Sequence, residues 1–202
     1  MTPLASHLVY ALAWASFGLV HSLLARPSAK ARLRPLLGPW YRLAYNGLAT
    51  VHVAVVWAVG WSALAGAGAL GLPPWTRGLL MAVEIAGWLL MAVALTGYDL
   101  GRLGGLAQIR HHRRGIALPE DEPLRTDGLH RFVRHPVYTA GFLILWGRIG
   151  DEFDLATAVW GSLYLAIGAV FEERWLLVHY GAAYAAYRRR VPAFVPWKGR
   201  AV

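Results

Sequence analysis

The sequence contains no cysteine among its 202 residues. This absence excludes a disulfide framework, a thiolate metal site and a cysteine nucleophile. Charged residues are also scarce: they make up 15% of the chain, against roughly 25% in a typical soluble domain. Hydrophobic residues make up 57%. The chain is therefore short of the groups that keep a soluble domain in water.

Two further absences narrow the class of protein. No Lys or Arg precedes the first apolar run, so the positively charged start of a secretory signal is missing and we expect this run to remain in the mature protein. No Gly-x-Gly-x-x-Gly follows a strand pattern, and no Walker sequence is present. The soluble nucleotide-binding folds therefore find no support.

Long apolar runs are the dominant feature of the sequence. Four of them have about the 17–25 residues that a helix needs to cross a bilayer, at 4–24, 43–65, 78–98 and 155–171. A shorter run at 136–150 ends in an acidic turn, and we predict that it pairs with 155–171 as a helical hairpin. The sequence therefore predicts an all-α integral membrane protein with about five transmembrane helices and a cytosolic C-terminal helix.

The distribution of positive charge predicts an orientation. Of the 20 Lys and Arg residues, 18 lie in segments 25–42, 100–135 and 172–202, which fall on one side of a five-span chain. Because cytoplasmic loops are enriched in Lys and Arg, we expect the N-terminus outside and the C-terminus in the cytoplasm. The formal charge of +9 then indicates contact with anionic membrane lipids, not with nucleic acid.

These patterns predict a single transmembrane domain over residues 1–202. Residues 1–98 hold the first three helices, and 99–135 form a cytosolic loop. The helical hairpin follows at 136–171, and 172–202 form a cytosolic tail.

The stretch GLHRFVRHPVYTAG at 128–141 combines basic residues and histidines with the start of a hydrophobic helix. Pro136 suits the first turn of a helix, where its missing N–H is not needed. The free N–H groups of that turn and the cations of Arg131 and Arg134 face the same region. Such a corner can hold an anionic group beside the membrane. The alternative is a positively charged membrane flank without a site.

Glu172 and Glu173 leave the membrane at the depth where Arg134 and His135 enter it. Unpaired carboxylates are costly at this depth. Two interpretations follow: a structural ion pair, or a cup in which the carboxylates bind ammonium or hydroxyl groups and the cations bind a carboxylate.

The tail helix carries Tyr180, Tyr184 and Tyr187 at spacings of four and three, which places them on one face. That face can stack on a flat ring, or it can lie at the interface as an aromatic belt. Within the first two spans, His21, Asn46 and His52 are polar groups at membrane depth. They serve either hydrogen bonding between helices or a function.

Several motifs resemble those of a known superfamily. RHPVY at 134–138 with Gly141, the EE pair at 172–173 and YAAYRRRVPAFVP at 184–196 resemble the signature of membrane-embedded methyltransferases. This superfamily includes the isoprenylcysteine carboxyl methyltransferases and the phospholipid N-methyltransferases. GYDLGRLGG at 97–105 is similar to the first cofactor motif of the phospholipid branch. HSLLARP and YRLAYN resemble the bacterial methanethiol S-methyltransferase and carotenoid-isomerase-like branch.

The resemblance implies S-adenosylmethionine as cofactor and a lipid-phase or small apolar acceptor: a phospholipid amine, a thiol or a prenylcysteine carboxylate. It implies no metal, and it favours the inner membrane of a bacterium. Glu173 or His135 would take the proton of an amine or thiol, and Arg190 would orient a carboxylate. The implied cofactor-binding residues are Gly101, Gln108, His130, Arg134, His135, Tyr138, Gly141, Glu172, Glu173, Tyr184 and Tyr187.

A second class of function competes with this interpretation. With His21 and His52 as axial ligands, the chain would be a haem-binding isomerase or a redox-linked membrane protein. That alternative depends on the two histidines alone, whereas the methyltransferase interpretation depends on several motifs in order.

Overall fold

The computed structural model describes residues 2–64, 66, 68–118 and 123–197, and over these the chain is helical without an extended strand. The predicted all-α class is confirmed. The helices form two compact units, one from residues 1–68 and 98–121 and one from residues 69–97 and 122–202. The organisation as a single domain stays a prediction.

The described residues contain eight α-helices. They are α1 (Pro3–Ala25), α2 (Pro27–Leu37), α3 (Tyr41–Leu64), α4 (Pro74–Thr96), α5 (Leu100–Gly104), α6 (Leu106–Arg113), α7 (Pro136–Gly147) and α8 (Glu152–Arg190). Two 3₁₀ turns, Gly38–Trp40 and Gly128–Arg131, complete the connections.

Segments of this fold are long and apolar enough to cross a membrane: Pro3–Ala25, Pro27–Leu64, Pro74–Thr96 and Glu152–Arg190. Large apolar side chains on these helices point outward, including Leu4, Leu12 and Leu89, each more than 60% exposed. A soluble protein rarely exposes so much contiguous apolar surface. The chain is therefore an integral membrane protein.

Helices α1 and α3 pack closely in the first unit. The ring of Tyr10 is fully buried against Gly60, where a Cβ atom would lie 2.3 Å from the ring. Nearby, Ser16 Oγ lies 3.1 Å from His52 Nε2. The hydroxyl of Tyr45 lies 2.6 Å from His21 Nε2. The two histidines therefore hydrogen-bond between the helices.

The space between these histidines is small. The ring of Phe17 contacts both, with centroid distances of 5.4 Å to His21 and 5.5 Å to His52. The gap that these side chains line holds only about 10 Å³, which is room for about one water molecule. Helix packing thus accounts for both histidines, and the geometry gives the haem interpretation no support.

The described residues of segment 99–135, predicted as a loop, include α5, α6 and a 3₁₀ turn. Asp99 Oδ1 accepts a hydrogen bond from the backbone N–H of Arg102 and caps α5. Gly105 ends α5 with φ of +100°, and a Cβ atom there would meet the Leu43 nitrogen at 2.6 Å. Asn46 donates to the Leu103 carbonyl at 2.9 Å. Glycine thus lets this turn approach α3.

Helix α7 begins at Pro136, as predicted, and packs between α4 and α8 in the second unit. Gly147 meets the backbone of Glu84 on α4, and on the other side Trp146 Nε1 donates to Ser162 Oγ on α8 at 2.9 Å. The predicted hairpin of α7 and α8 is confirmed. With 12 residues, α7 is about 18 Å long, well short of a bilayer core of about 30 Å.

The last helix contains the predicted apolar run 155–171 and the predicted tail helix. It starts at Glu152, where Asp151 Oδ1 accepts a hydrogen bond from the Asp154 backbone N–H at 2.8 Å, and it runs on to Arg190. The charged residues after Phe171 do not interrupt it. The break comes at Gly181, whose φ of +54° favours glycine. The tail helix is thus the continuation of α8.

Candidate functional site

The residues around the start of α7 hydrogen-bond to the backbone of residues 191–197, which follow α8 and which we call the tail from here on. The N–H of Arg134 donates to the Pro192 carbonyl at 2.9 Å, and the N–H of His135 donates to the Ala193 carbonyl at 3.0 Å. Thr139 Oγ1 donates to the Phe194 carbonyl at 2.8 Å. The tail therefore lies along the residues that the sequence marked as a site.

The guanidinium of Arg134 makes a buried ion pair with Glu173. Its Nε and Nη2 donate to Glu173 Oε1 at 2.8 and 2.5 Å, and the two side chains are 11% and 14% exposed. Nη1 donates to the carbonyls of Val191 and Arg188 at 2.5 and 3.3 Å. Arg134 is thus engaged in joining α8 to the tail, as the ion-pair interpretation predicted.

His135 is buried between the two carboxylates. Its Nε2 lies 3.0 Å from Glu173 Oε1, and its Nδ1 lies 3.7 Å from Glu172 Oε2. The ring stacks on Tyr138 with centroids 5.3 Å apart and also contacts Phe194. With Nε2–H donating to Glu173, Nδ1 is the ring atom that faces Glu172.

The tyrosine face of α8 points inward. Tyr184 and Tyr187 are buried with Val191, and Tyr180 packs against this cluster, so the face is not an aromatic belt. The hydroxyl of Tyr187 donates to the His130 carbonyl at 2.7 Å. The hydroxyl of Tyr184 is buried beside Arg134 but makes no hydrogen bond of normal geometry with any described residue.

His130 contacts this tyrosine cluster through the hydrogen bond that its carbonyl accepts from Tyr187. Its Nδ1 lies 3.1 Å from the Arg134 carbonyl, which accepts the hydrogen bond. Burial lowers the pKa of His130 and the nearby cation of Arg125 lowers it further, while the Arg134 carbonyl opposes this shift. A neutral ring with its proton on Nδ1 is therefore favoured, and His130 supports the loop that leads into α7.

A cavity of about 350 Å³ opens beside the tail. It is lined by Arg134, Arg188, Val191, Pro192, Ala193, Phe194, Val195 and Trp197. Arg188, which lines the cavity, is 49% exposed. Glu172, beside His135, is 45% exposed and is not among the lining residues. Both side chains are accessible to a ligand.

The sequence reasoning missed Arg188, which lines the cavity and lies 3.9 Å from Glu173 Oε2. Arg190 is exposed and does not line it. Arg188 lies four residues after Tyr184 and Arg190 lies three residues after Tyr187, so helical spacing places both beside the tyrosine face and does not distinguish them.

The remaining predicted cofactor-binding residues are Gly141, Gly101 and Gln108. Gly141 faces Leu165 of α8, and a Cβ atom there would meet its Cδ1 at 3.1 Å. Gly101 and Gln108 belong to the first unit. Gln108 donates to the Arg102 carbonyl at 3.1 Å, and its buried Oε1 has no partner among the described residues. Their role in cofactor binding stays a prediction.

The known proteins that this chain resembles are methyltransferases. The chain is 32% identical over 199 residues to methanethiol S-methyltransferase 2 of Bradyrhizobium diazoefficiens, covering 94% of this chain and 73% of that protein. It is 29% identical over 199 residues to the methanethiol S-methyltransferase of Crocosphaera subtropica, covering 91% and 72%.

A more distant match is the protein-S-isoprenylcysteine O-methyltransferase of Schizosaccharomyces pombe, 30% identical over 83 residues, covering 38% of this chain and 34% of that protein. No protein-family model matches the chain, and no solved structure matches it. The matches over most of this chain, together with the helices and motifs described above, show that this chain belongs to the membrane-embedded methyltransferase superfamily of the methanethiol S-methyltransferases and isoprenylcysteine O-methyltransferases.

Proposed function

We propose that this membrane methyltransferase takes its methyl group from S-adenosylmethionine and transfers it to a small thiol. The half-exposed Arg188, which lines the cavity, and the half-exposed Glu172 beside His135 are the observation that carries the donor assignment. The similarity to methanethiol S-methyltransferases over most of this chain supports a thiol acceptor over a phospholipid amine or a prenylcysteine carboxylate.

The residues present fit this donor. Its amino-acid end carries one carboxylate and one ammonium group, which match the guanidinium of Arg188 and the carboxylate of Glu172. The cavity volume of about 350 Å³ lies in the range of roughly 300–1,000 Å³ that small-molecule sites occupy. The buried hydroxyl of Tyr184 beside Arg134, which makes no hydrogen bond of normal geometry with a described residue, offers a further polar atom.

The donor supplies a methyl group that its sulfonium already activates, so the protein must mainly align the reacting atoms. A thiol must lose its proton as its sulfur bonds to the methyl carbon and the electron pair of the broken bond goes to the leaving sulfur. We assign that proton to Nδ1 of His135, which faces Glu172. Glu173 orients the ring through Nε2 and is already occupied by Arg134.

The affinity for the donor should distinguish the role of Arg188 from that of Arg190. We expect Arg188→Gln and Glu172→Gln each to weaken binding of S-adenosylhomocysteine at least tenfold in calorimetry, about 1.4 kcal/mol or more. Arg190→Gln is the matched control, because it removes the same charge two residues away without lining the cavity. Equal losses in Arg188→Gln and Arg190→Gln would show a general charge effect and contradict this assignment.

We further propose that the protein lies in a bacterial inner membrane with its N-terminus outside and its C-terminus in the cytoplasm. The 18-to-2 division of Lys and Arg between the two sides supports this orientation. A charged donor from the cytosol would then reach the α7–tail site directly, while an apolar acceptor would enter from the lipid.

Single cysteines test this orientation directly, because the chain has none of its own. We expect a membrane-impermeant thiol reagent applied to sealed cells to label Glu152→Cys but not Ala117→Cys or Val195→Cys. After the cells are permeabilised, all three variants should react. Labelling of Ala117→Cys in sealed cells would place segment 99–135 outside, and labelling of Val195→Cys would place the tail outside. Either result would overturn the proposed orientation.

A further inference from the structure

A stripe of exposed cations follows helix α2. Arg26, Lys30 and Arg34 are spaced four residues apart, so they lie on one side of the helix, and all three are exposed. Arg34 and Arg42 lie close enough to Lys30 to repel its charge. We call these four residues the cationic stripe.

Within the described residues of the first unit, this stripe has no acidic partner. The first 83 residues contain no Asp or Glu. In the described part of the first unit the sole acid is Asp99, which caps α5 through the Arg102 backbone N–H. Like charges at such separations repel one another unless an anion neutralises them. The geometry therefore calls for an anion from outside the chain.

The position of α2 in the fold indicates which kind of anion the stripe binds. It connects α1 and α3, apolar helices of 23 and 24 residues, and contributes no buried residue of its own. Leu36 lies four residues after Arg32, away from the stripe, and is 80% exposed; Trp40, which follows the helix, is 47% exposed. A helix with exposed cations on one side and exposed Leu and Trp elsewhere is typical of the membrane interface.

We propose that the cationic stripe is a binding site for the phosphate groups of anionic phospholipids. Guanidinium groups donate to phosphate in a fixed fork, and Lys30 adds a point charge between them. Arg42 is held in position because its Nε donates to the Leu103 carbonyl at 3.0 Å. This proposal is independent of the methyl donor and acceptor proposed above.

Native mass spectrometry of the full chain in an uncharged detergent tests it, with phosphatidylglycerol and phosphatidylcholine of the same acyl chains. We expect the protein to retain phosphatidylglycerol at roughly tenfold lower lipid concentration than phosphatidylcholine. Lys30→Gln/Arg34→Gln should remove most of this preference. Arg32→Gln/Arg77→Gln is the control, because it removes two charges outside the stripe, one of them on the opposite side of α2.

Three outcomes would overturn the proposal. Equal retention of the two lipids would show that the stripe only orients the chain. An equal loss of preference in the control variant would assign the effect to net charge. Displacement of phosphatidylglycerol by an equal concentration of tripolyphosphate would show a site for a soluble anion.

Discussion

Glu173→Gln should lower the thermal midpoint of the purified protein by about 6–12 °C and weaken donor binding at least tenfold. The substitution leaves the buried guanidinium of Arg134 without its counter-charge, which costs about 3 kcal/mol of unfolding free energy or more. Donor binding should fall because Arg134 also fixes the carbonyls of Arg188 and Val191 beside the cavity. Differential scanning fluorimetry and calorimetry with S-adenosylhomocysteine measure the two effects.

A double variant separates stability from binding. Replacing a buried ion pair with apolar side chains is often close to neutral for stability, so Arg134→Met/Glu173→Leu should recover most of the thermal midpoint. It should not recover donor binding, because methionine cannot donate to the carbonyls that hold the tail. If donor binding returned together with stability, the pair would be structural only, and its place in the donor site would be refuted.

Gly147→Leu should disrupt the crossing of α4 and α7. A Cβ atom at Gly147 would lie 2.3 Å from the Glu84 nitrogen, and a backbone cannot give way as a flexible side chain does. We expect a loss of about 1–3 kcal/mol or more, or roughly 2–12 °C in the thermal midpoint.

The control for this crossing is Gly78→Leu. Gly78 lies on α4 and has nothing within 4 Å of its Cβ position, so its midpoint should change little. A Gly147→Leu variant as stable as Gly78→Leu would contradict the close approach of the two helices.

Part of the site was predictable from the sequence because it depends on local rules. Pro136 begins α7, since proline suits a first helical turn. The meeting of Arg134 and His135 with Glu173 followed from membrane depth, because charges that enter and leave a bilayer at one level must find partners.

The rest depends on tertiary contacts that leave little trace in a sequence. The tail binds residues 134–139 through carbonyl groups, and every residue from Pro192 to Phe194 offers the same carbonyl whatever its side chain. The predicted apolar run and the predicted tail helix form one helix, α8, and its break depends on the backbone of Gly181. Helical spacing alone does not distinguish Arg188 from Arg190, because each follows a tyrosine of the same face by three or four residues.

The central claim is that this chain methylates a small thiol at the site between α7, α8 and the tail. The most direct test incubates purified protein with methyl-labelled S-adenosylmethionine and methanethiol, and follows the label into dimethyl sulfide and into phospholipid. We predict label in dimethyl sulfide, at least a hundredfold reduced in His135→Ala, where general-base catalysis is lost. Label that enters phospholipid instead, or transfer to the thiol that is unchanged in His135→Ala, would contradict the account.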